Sequence, residues 1–266
     1  KSFSIWLDKT KKNHVTIANW LSSGTLYESD VAGIMCKLIR PGDVVIDVGA
    51  NIGFHSFLMA ALVEESGKVI AFEPGAEVIN EWELNKKLNK SKNAVVSQKV
   101  LSDKSGDTVD FCFSQEDSGT SYALKNQGQV EPNMTPMVTS CLNDELTENV
   151  PIKLIKIDVE GFEGHILRGA SKLLSEDRVR YWVVEYAPHC LARNGDSLES
   201  LRSIMSQYGL DMFLLDIQGG FPKLWPEGLR IHTKFVANLL FTRIEDLAKD
   251  WVIDDVSRFV SPPSNW

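Results

Sequence analysis

A run of β-branched residues that ends in a glycine turn is the feature that most constrains the fold of this chain. Residues 44–48, Val-Val-Ile-Asp-Val, predict a buried strand, and residues 49–53, Gly-Ala-Asn-Ile-Gly, predict a tight turn. The apolar stretch from Phe54 to Val63 is typical of a helix. Strand, glycine turn and helix in this order form the first unit of a nucleotide-binding α/β fold. Gly49 and Gly53 allow a sharp turn and a close approach to a ligand, because neither has a Cβ atom.

Two acids near this turn indicate which nucleotide the chain binds. Asp47, at the end of the first strand, can accept hydrogen bonds from a cationic or hydroxyl-rich ligand but would repel a pyrophosphate. Glu73 follows the apolar segment 68–72, where a carboxylate can bind two ribose hydroxyls, and Pro74 ends that strand. NAD-binding folds also use an acid at this second position, but here the Gly-x-Gly-x-x-Gly motif is missing. The pair of acids therefore favours S-adenosylmethionine (SAM), which carries no phosphate, over NAD.

The composition argues against several partners. A formal net charge of −8 disfavours nucleic acid and anionic membranes, which both require a basic surface. No segment of the sequence is long and apolar enough to span a membrane. The four cysteines are scattered without a Cys-x-x-Cys pair, which is typical of a reducing compartment, so we expect a cytoplasmic protein. The chain starts at Lys1 rather than at a methionine, and we expect it to be a segment of a longer protein.

The pattern of apolar segments predicts one domain with an N-terminal addition. We expect residues 1–40 to form a helical extension that packs on the core, and residues 41–266 to form the main domain. Residues 114–136, rich in small and polar residues, predict an irregular, lid-like insertion, and residues 165–174 predict a helix. The remaining pattern predicts a Rossmann-like, mostly parallel sheet with helices on both faces and an antiparallel last strand. Its seven predicted strands are 44–48, 68–72, 95–100, 152–158, 180–185, 210–215 and 235–242.

Three motifs occur in a family-specific order. They are Asp-Val-Gly-Ala-Asn-Ile-Gly at 47–53, Phe-Glu-Pro at 72–74 and Ile-Lys-Ile-Asp-Val-Glu-Gly at 155–161. Together they resemble the FkbM-type family of class I SAM-dependent methyltransferases, over roughly residues 25–190. The resemblance implies O-methylation of a hydroxyl on a small molecule, such as a sugar, a glycan or a secondary metabolite. The residues that it implies for SAM binding are Glu28, Asp47, Gly49, Asn51, Gly53, Glu73, Pro74, Ser102, Asp103 and Asp158.

Methyl transfer to an aliphatic hydroxyl needs a positioned acceptor, and a base near it would help. Asp158 is the first candidate for this base, because strand alternation places Lys156, Asp158 and Glu160 on a common side, and ligands bind beyond the carboxyl ends of such strands. Glu160 is the second candidate and His189 the third. The alternative for Asp158 is a structural cap on the turn that follows.

Three further interpretations remain open at this point. Asp158, Glu185 and His189 offer ligands that suit a divalent cation, but their spacing does not require one, and we assign no metal site. The chain could instead be a non-catalytic interaction module with a SAM-type fold, although its cofactor residues are intact. It could also be an NAD-linked oxidoreductase, against which Asp47 argues. Fold alone does not decide between these functions.

Overall fold

The computed structural model describes residues 2–114, 117–125, 134–216, 220–231, 233, 236–253 and 255–259. Its helices are α1 (Lys12–Ser22), α2 (Ser29–Leu38), α3 (Phe54–Val63), α4 (Ala76–Asn89), α5 (Leu142–Glu145), α6 (Glu163–Arg168), α7 (Ser171–Ser175), α8 (Pro188–Arg193), α9 (Leu198–Ser206) and α10 (Ile244–Trp251). Its strands are β1 (Val44–Val48), β2 (Lys68–Phe72), β3 (Ala94–Ser97), β4 (Val100–Leu101), β5 (Thr108–Cys112), β6 (Tyr122–Lys125), β7 (Met134–Ser140), β8 (Ile152–Ile157), β9 (Val179–Tyr186), β10 (Asp211–Leu214), β11 (Lys223–Leu224) and β12 (Ala237–Thr242).

The main sheet confirms the predicted α/β fold. Within the described residues it has eight strands in the order β11-β10-β12-β9-β8-β1-β2-β3. The strands β9, β8, β1, β2 and β3 are mutually parallel, and β12 runs antiparallel between β9 and β10. The two-residue strand β11 extends the sheet beyond the seven predicted strands, and it is too short to show a periodic signal in the sequence.

Alternating residues of the central strands enter two apolar layers, one on each face of the sheet. Ile46 of β1 and Ile155 of β8 belong to the layer that contains residues of α6, α7 and α9. Their neighbours Val45 and Leu154 belong to the layer that contains residues of α2, α3 and α10. Because both faces are covered, these strands are mostly apolar on both sides, as parallel strands usually are, and Asp47 and Lys156 are buried exceptions near their carboxyl ends.

The N-terminal helices lie on this core. Val31, Met35 and Leu38 of α2 are buried in the second layer, and Ile17 of α1 packs with Ile52, which belongs to the glycine turn after β1. The N-terminal segment therefore lies beside the turn that the sequence marks as a ligand site. No helix in the described ranges combines the length and apolar character that crossing a bilayer requires.

A second, smaller sheet explains two differences from the sequence prediction. The described residues form it in the order β4-β7-β5-β6. The predicted strand 95–100 is divided, because β3 pairs with β2 in the main sheet whereas β4 pairs with β7. The predicted insertion 114–136 is not irregular throughout: it includes β6, the start of β7 and a 3₁₀ turn at Ser118–Thr120. Residues 115–116 and 126–133 of that insertion, and Phe235 of the last predicted strand, lie outside the described residues.

The single helix predicted over 165–174 is wrong. The structure has two short helices, α6 and α7, with Gly169 and Ala170 between them. Backbone from another part of the chain comes so close here that a Cβ atom on Gly169 would lie 2.1 Å from the carbonyl oxygen of Ser102. Gly169, between α6 and α7, thus packs against the segment after β4, and no local pattern in the sequence predicts this contact.

The burial of β8 gives a test of the fold. Leu154→Ala should lower the free energy of unfolding by about 2–5 kcal/mol, because it leaves a cavity in a fully buried layer (0% exposed). Leu84 of α4 is 47% exposed, so Leu84→Ala is the matched control and should change the free energy of unfolding by less than about 0.5 kcal/mol. Urea denaturation measures both. Equal losses would contradict the central position of β8.

Candidate active site

A cleft opens at the carboxyl ends of β1, β2, β8 and β9, the edge at which parallel α/β sheets bind ligands. It has a volume of about 280 Å³. The turns after β1, β2 and β8 form much of its wall, and the end of β9 contributes Glu185. Described residues of α1 and of the segment 117–121 complete the wall.

The glycine turn fits closely against the turn that follows β8. Gly49 has a φ of +77°, and a Cβ atom there would lie 1.7 Å from the carbonyl oxygen of Asp158. The backbone N–H groups of Gly49 and Ala50 both donate to the carbonyl of Phe72, which ties the turn to β2. Only glycine fits at position 49, since any side chain would push the two turns apart.

Gly53 ends this turn without lining the described wall of the cleft. Its φ is +91°, and a Cβ atom there would lie 2.5 Å from the ring of Phe57 and 2.7 Å from that of Trp82. Asn51, inside the turn, also has a positive φ of 47° and does line the cleft. Gly53 therefore packs against Phe57 and Trp82 on the core side of the turn, whereas Asn51 lines the cleft.

Asp47 lies beneath the cleft rather than in its described wall. Its buried carboxylate accepts a hydrogen bond from Ser56 Oγ at 2.5 Å, and Trp82 Nε1 donates to the same hydroxyl at 3.0 Å. Burial raises the pKa of Asp47, while Lys156 and Ser56 partly offset that rise. Asp47 holds protein groups in place and is not part of the described wall of the cleft, so its role in SAM binding stays a prediction.

Lys156 is the functional residue that sequence reasoning treated only as a neighbour of Asp158. Its buried Nζ atom lies 3.0 Å from Asp158 Oδ2 and 3.7 Å from Asp47 Oδ1. Burial lowers the pKa of Lys156, but the carboxylates of Asp158 and Asp47 outweigh it and raise the pKa above its usual value. The ammonium group therefore stays charged and fixes one oxygen of Asp158. The available signal was a lysine two residues before the strand-end acid Asp158, on the same side of the strand.

Glu73 reaches the cleft from the end of β2. Its Oε2 accepts from the backbone N–H of Asn51 at 3.0 Å, and its Oε1 accepts from that of Gly75 at 2.9 Å. Burial raises the pKa of Glu73 to about 7, against the lowering effect of these two hydrogen bonds. Both oxygens are thus held at fixed positions, and Pro74 beside them also lines the cleft.

Further acids surround Asp158. One carboxylate oxygen from each of Asp158, Glu160 and Glu185 lies within 4.8 Å of the others. Burial and then the charge of Asp158 raise the pKa of Glu160 to about 7 and that of Glu185 well above its usual value. Glu28, just before α2, lines the same cleft, and burial followed by Asp158 raises its pKa to about 8. His55 Nε2 lies 3.7 Å from Glu28 Oε2.

Besides Asp47 and Gly53, three more predicted site residues, Ser102, Asp103 and His189, lie apart from the described wall of the cleft. Asp103 pairs with Lys125, Nζ to Oδ2 at 3.0 Å, and accepts a hydrogen bond from Ser102 Oγ at 2.9 Å. Burial raises the pKa of Asp103, but the bonds from Lys125 and Ser102 prevail and lower it to about 2. The backbone N–H of Ser102 donates to Ser140 across the second sheet. His189 is exposed on α8.

Contacts from distant segments complete the cleft, and sequence reasoning missed them. Asn13 Nδ2 of α1 donates to Ser118 Oγ at 2.7 Å, and Ser118 Oγ donates to Asn51 Oδ1 at 3.0 Å. This chain of bonds joins the N-terminal helix, the insertion and the glycine turn. No pattern in the sequence could identify it, because the three residues are far apart along the chain.

Comparison with known proteins identifies the family. The model of the methyltransferase FkbM domain matches residues 47–212, more than half of the chain. The chain belongs to the FkbM methyltransferase family. This confirms the resemblance seen in its motifs, and SAM is the cofactor of the family.

Two curated relatives cover parts of the chain. Hexuronic acid methyltransferase AglP from Haloferax volcanii is 29% identical over 162 residues, which are 59% of this chain and 62% of AglP. Protein-L-isoaspartate O-methyltransferase 2 from Archaeoglobus fulgidus is 34% identical over 74 residues, 26% of this chain and 34% of that protein. The chain thus spans less than two thirds of the length of either relative. A solved structure of a putative methyltransferase from Streptococcus mutans in complex with SAH has a TM-score of 0.46 at 9% identity, over 81% of this chain and 97% of that one.

The residues of the cleft fit SAM. Gly49 lets the turn after β1 pack against the turn after β8 at the wall of the cleft, and Glu73 presents two fixed carboxylate oxygens suited to ribose hydroxyls. The described wall carries several acids and one buried lysine, a charge balance that suits a cationic ligand and opposes a pyrophosphate. Glu28, Gly49, Asn51, Glu73, Pro74 and Asp158, all predicted from the sequence, line this space together.

The different surroundings of two predicted cofactor residues give a second test. Glu73→Gln should weaken binding of S-adenosylhomocysteine (SAH) by about 10- to 100-fold, because hydrogen bonds to a charged acceptor contribute about 1.5–3 kcal/mol. Asp103→Asn should leave SAH affinity within about twofold and lower thermal stability, because Asp103 is bonded to Lys125 and Ser102 outside the cleft. Calorimetric titration and thermal unfolding measure the two effects. A large loss of SAH affinity in Asp103→Asn would restore Asp103 to the cofactor site.

The pKa of Glu73 predicts how cofactor affinity depends on pH. With a pKa of about 7, Glu73 is protonated below neutral pH and ionised above it, so its capacity to accept two ribose hydrogen bonds grows as the pH rises. SAH affinity of the wild type should increase between about pH 6 and pH 8. The charge of Asp47 raises the pKa of Glu73 and that of Lys156 lowers it, and Glu28, with a pKa of about 8, titrates in the same cleft. The comparison with Glu73→Gln isolates the contribution of Glu73; equal pH slopes in both proteins would contradict it.

Proposed function

We propose that this protein is a SAM-dependent O-methyltransferase whose acceptor is a hydroxyl group of a small molecule, in particular of a sugar or glycan. The observation that supports this most strongly is the ion pair between buried Lys156 and partly exposed Asp158, which faces the cleft directly beside the glycine turn. A carboxylate held in this way lies where a methyl acceptor must approach the cofactor.

Different residues bind the cofactor and remove the proton of the acceptor. Bound SAM supplies an electrophilic methyl group for in-line displacement. Glu73 and the glycine turn hold the nucleoside end, and Lys156 fixes Asp158 through Oδ2, which leaves Oδ1 to accept the proton of the acceptor hydroxyl. Glu160, with a pKa of about 7, is the second candidate for this base. His189 is exposed on α8, and we assign it no role.

Several features favour a hydroxyl-rich acceptor. The relative AglP is named for methylation of a hexuronic acid, a sugar derivative. The described wall of the cleft also contains neutral polar side chains, among them Asn13, Tyr27 and Ser118, which can exchange hydrogen bonds with hydroxyl groups. Given the net charge of −8, we expect no nucleic-acid substrate, and the four free cysteines are consistent with our placement of the protein in the cytoplasm.

The test starts with the cofactor and continues with the acceptor. The wild-type chain should bind SAH in calorimetric titration and should not bind NAD⁺ measured in parallel. It should then transfer labelled methyl groups from SAM to members of a panel of methyl glycosides, uronic acids and simple alcohols. SAH binding without transfer to any hydroxyl acceptor would support a binding module, and NAD⁺ binding alone would support an oxidoreductase.

Asp158→Asn separates catalysis from cofactor binding. The amide cannot accept a proton at neutral pH, so kcat should fall by about 10²- to 10⁴-fold. SAH affinity should stay within about threefold of the wild type, because Gly49 and Glu73 are unchanged. Glu245→Gln, an exposed acid at the start of α10, serves as the control and should retain full activity. An unchanged kcat in Asp158→Asn would remove Asp158 from the role of base.

A further inference from the structure

We propose that Asp158, Glu160 and Glu185 form a binding site for a hard divalent cation such as Mg²⁺ or Mn²⁺, which holds the acceptor through two neighbouring oxygen atoms. This inference rests on the proposed function for the identity of the acceptor, but cation binding itself does not depend on that function. It departs from the sequence analysis, which assigned no metal site and considered His189 as a ligand.

The backbone brings the three carboxylates together. Ile157 at the end of β8 is in register with Val184 of β9, so Asp158 and Glu185 follow at adjacent positions on neighbouring parallel strands. One oxygen from each of Asp158, Glu160 and Glu185 lies within 4.8 Å of the others. Oxygens that share a cation at about 2.0–2.6 Å are separated by at most about twice that distance, so the three can ligate one ion.

A second observation points to a ligand at this place. Glu185 is only 8% exposed, and its Oε2 has no hydrogen-bond partner among the described residues. Burying a carboxylate oxygen without a partner is costly unless a cation or a donor satisfies it. Two protein cations lie near the cluster: Lys156, which is already shared between Asp158 and Asp47, and Arg193, whose charge acts on Glu160. When all three acids of the cluster are ionised, they carry more negative charge than these two cations balance.

The position of the cluster separates it from the cofactor. The residues that fit SAM, Gly49 and Glu73, follow β1 and β2, whereas the three acids follow β8 and β9. Because the strand order is β9-β8-β1-β2, the residues that fit SAM and the three acids lie on two different sides of one cleft. Only Asp158 borders both, through the contact of its backbone with Gly49. A cation on the β8–β9 side would lie where the acceptor enters and not where the nucleoside binds.

Carboxylate oxygens are hard ligands, and this predicts the class of acceptor. Mg²⁺ and Mn²⁺ prefer oxygen donors and retain open positions when a protein supplies only a few of them. A vicinal diol or a hydroxyl beside a carboxylate can fill two such positions at once. Coordination also lowers the pKa of a bound hydroxyl, so the same cation would make its proton easier to remove. When Asp158 ligates the cation through Oδ1, the proton would pass to the carboxylate oxygen of Glu160 that does not ligate, since Glu160 is the second candidate for the base.

Mn²⁺ binding to the purified chain, without cofactor or acceptor, tests the site. The free-ion signal in electron paramagnetic resonance should fall with about one equivalent bound, and excess Mg²⁺ should restore it. Glu185→Gln should weaken Mn²⁺ affinity by at least about tenfold, because the loss of even an outer-shell partner costs that much. Its SAH affinity should stay within about twofold of the wild type, which shows that the fold is intact.

A control variant and a replacement variant accompany Glu185→Gln. Glu245→Gln removes an exposed acid next to β12, whose end lies at the opposite edge of the sheet from Glu185, and it should bind Mn²⁺ like the wild type. If Glu185→Gln does not fold, Glu160→Gln, at a partly exposed position, takes its place. Wild-type SAH binding without Mn²⁺ binding, or Mn²⁺ affinity unchanged in these variants, would overturn the cation site and leave the proposed function intact. Mn²⁺ binding without SAH binding would instead overturn the proposed function.

Discussion

One buried ammonium group connects the core of this protein to its chemistry. Lys156 extends from β8 to a carboxylate on β1 and to another at the edge of the cleft, at 3.7 and 3.0 Å. On the β1 side, Asp47 is bonded to Ser56 and through it to Trp82. Removing the lysine would leave Asp47 buried without its counter-charge, which costs several kcal/mol. The same pair of strands therefore depends on Lys156 for stability and for the orientation of Asp158.

Close packing of two turns sets the position of the reacting groups relative to this ion pair. A Cβ atom on Gly49 would overlap the carbonyl of Asp158, so the turn predicted to border the cofactor packs directly against the turn that carries the acids. Rigid backbone contact of this kind holds reacting groups in place at no side-chain entropy cost. The hydrogen bond from Asn13 to Ser118, and that from Ser118 to Asn51, then fix the outer side of the same turn.

What the sequence could predict was local. The strand-turn-helix pattern around Gly49, the strand-end acid Glu73 and the Asp-Val-Glu motif after β8 all lie within short segments, and the structure brings them to one cleft. Asp103 shows the limit. The family resemblance implies that Asp103 binds SAM, and in the structure Lys125 from β6, 22 residues later, pairs with it outside the described wall of the cleft. Residues such as Ser118 and Gly169 depend on contacts between distant segments, for which a single sequence carries no signal.

The concentration of acids gives the cleft its selectivity. Burial raises the pKa of Glu28, Glu73 and Glu160 above the usual range, which means that the folded chain holds these groups at an energetic cost when they are charged. A ligand that brings positive charge or hydroxyl donors relieves part of this cost, and a ligand with phosphate groups increases it. Cofactor binding and stability are therefore coupled, since whatever satisfies these carboxylates in the folded state also favours that state over the unfolded chain. The acids on the β1–β2 side and those on the β8–β9 side share one cleft. A charged ligand bound on one side therefore alters the affinity of the other side for its own ligand.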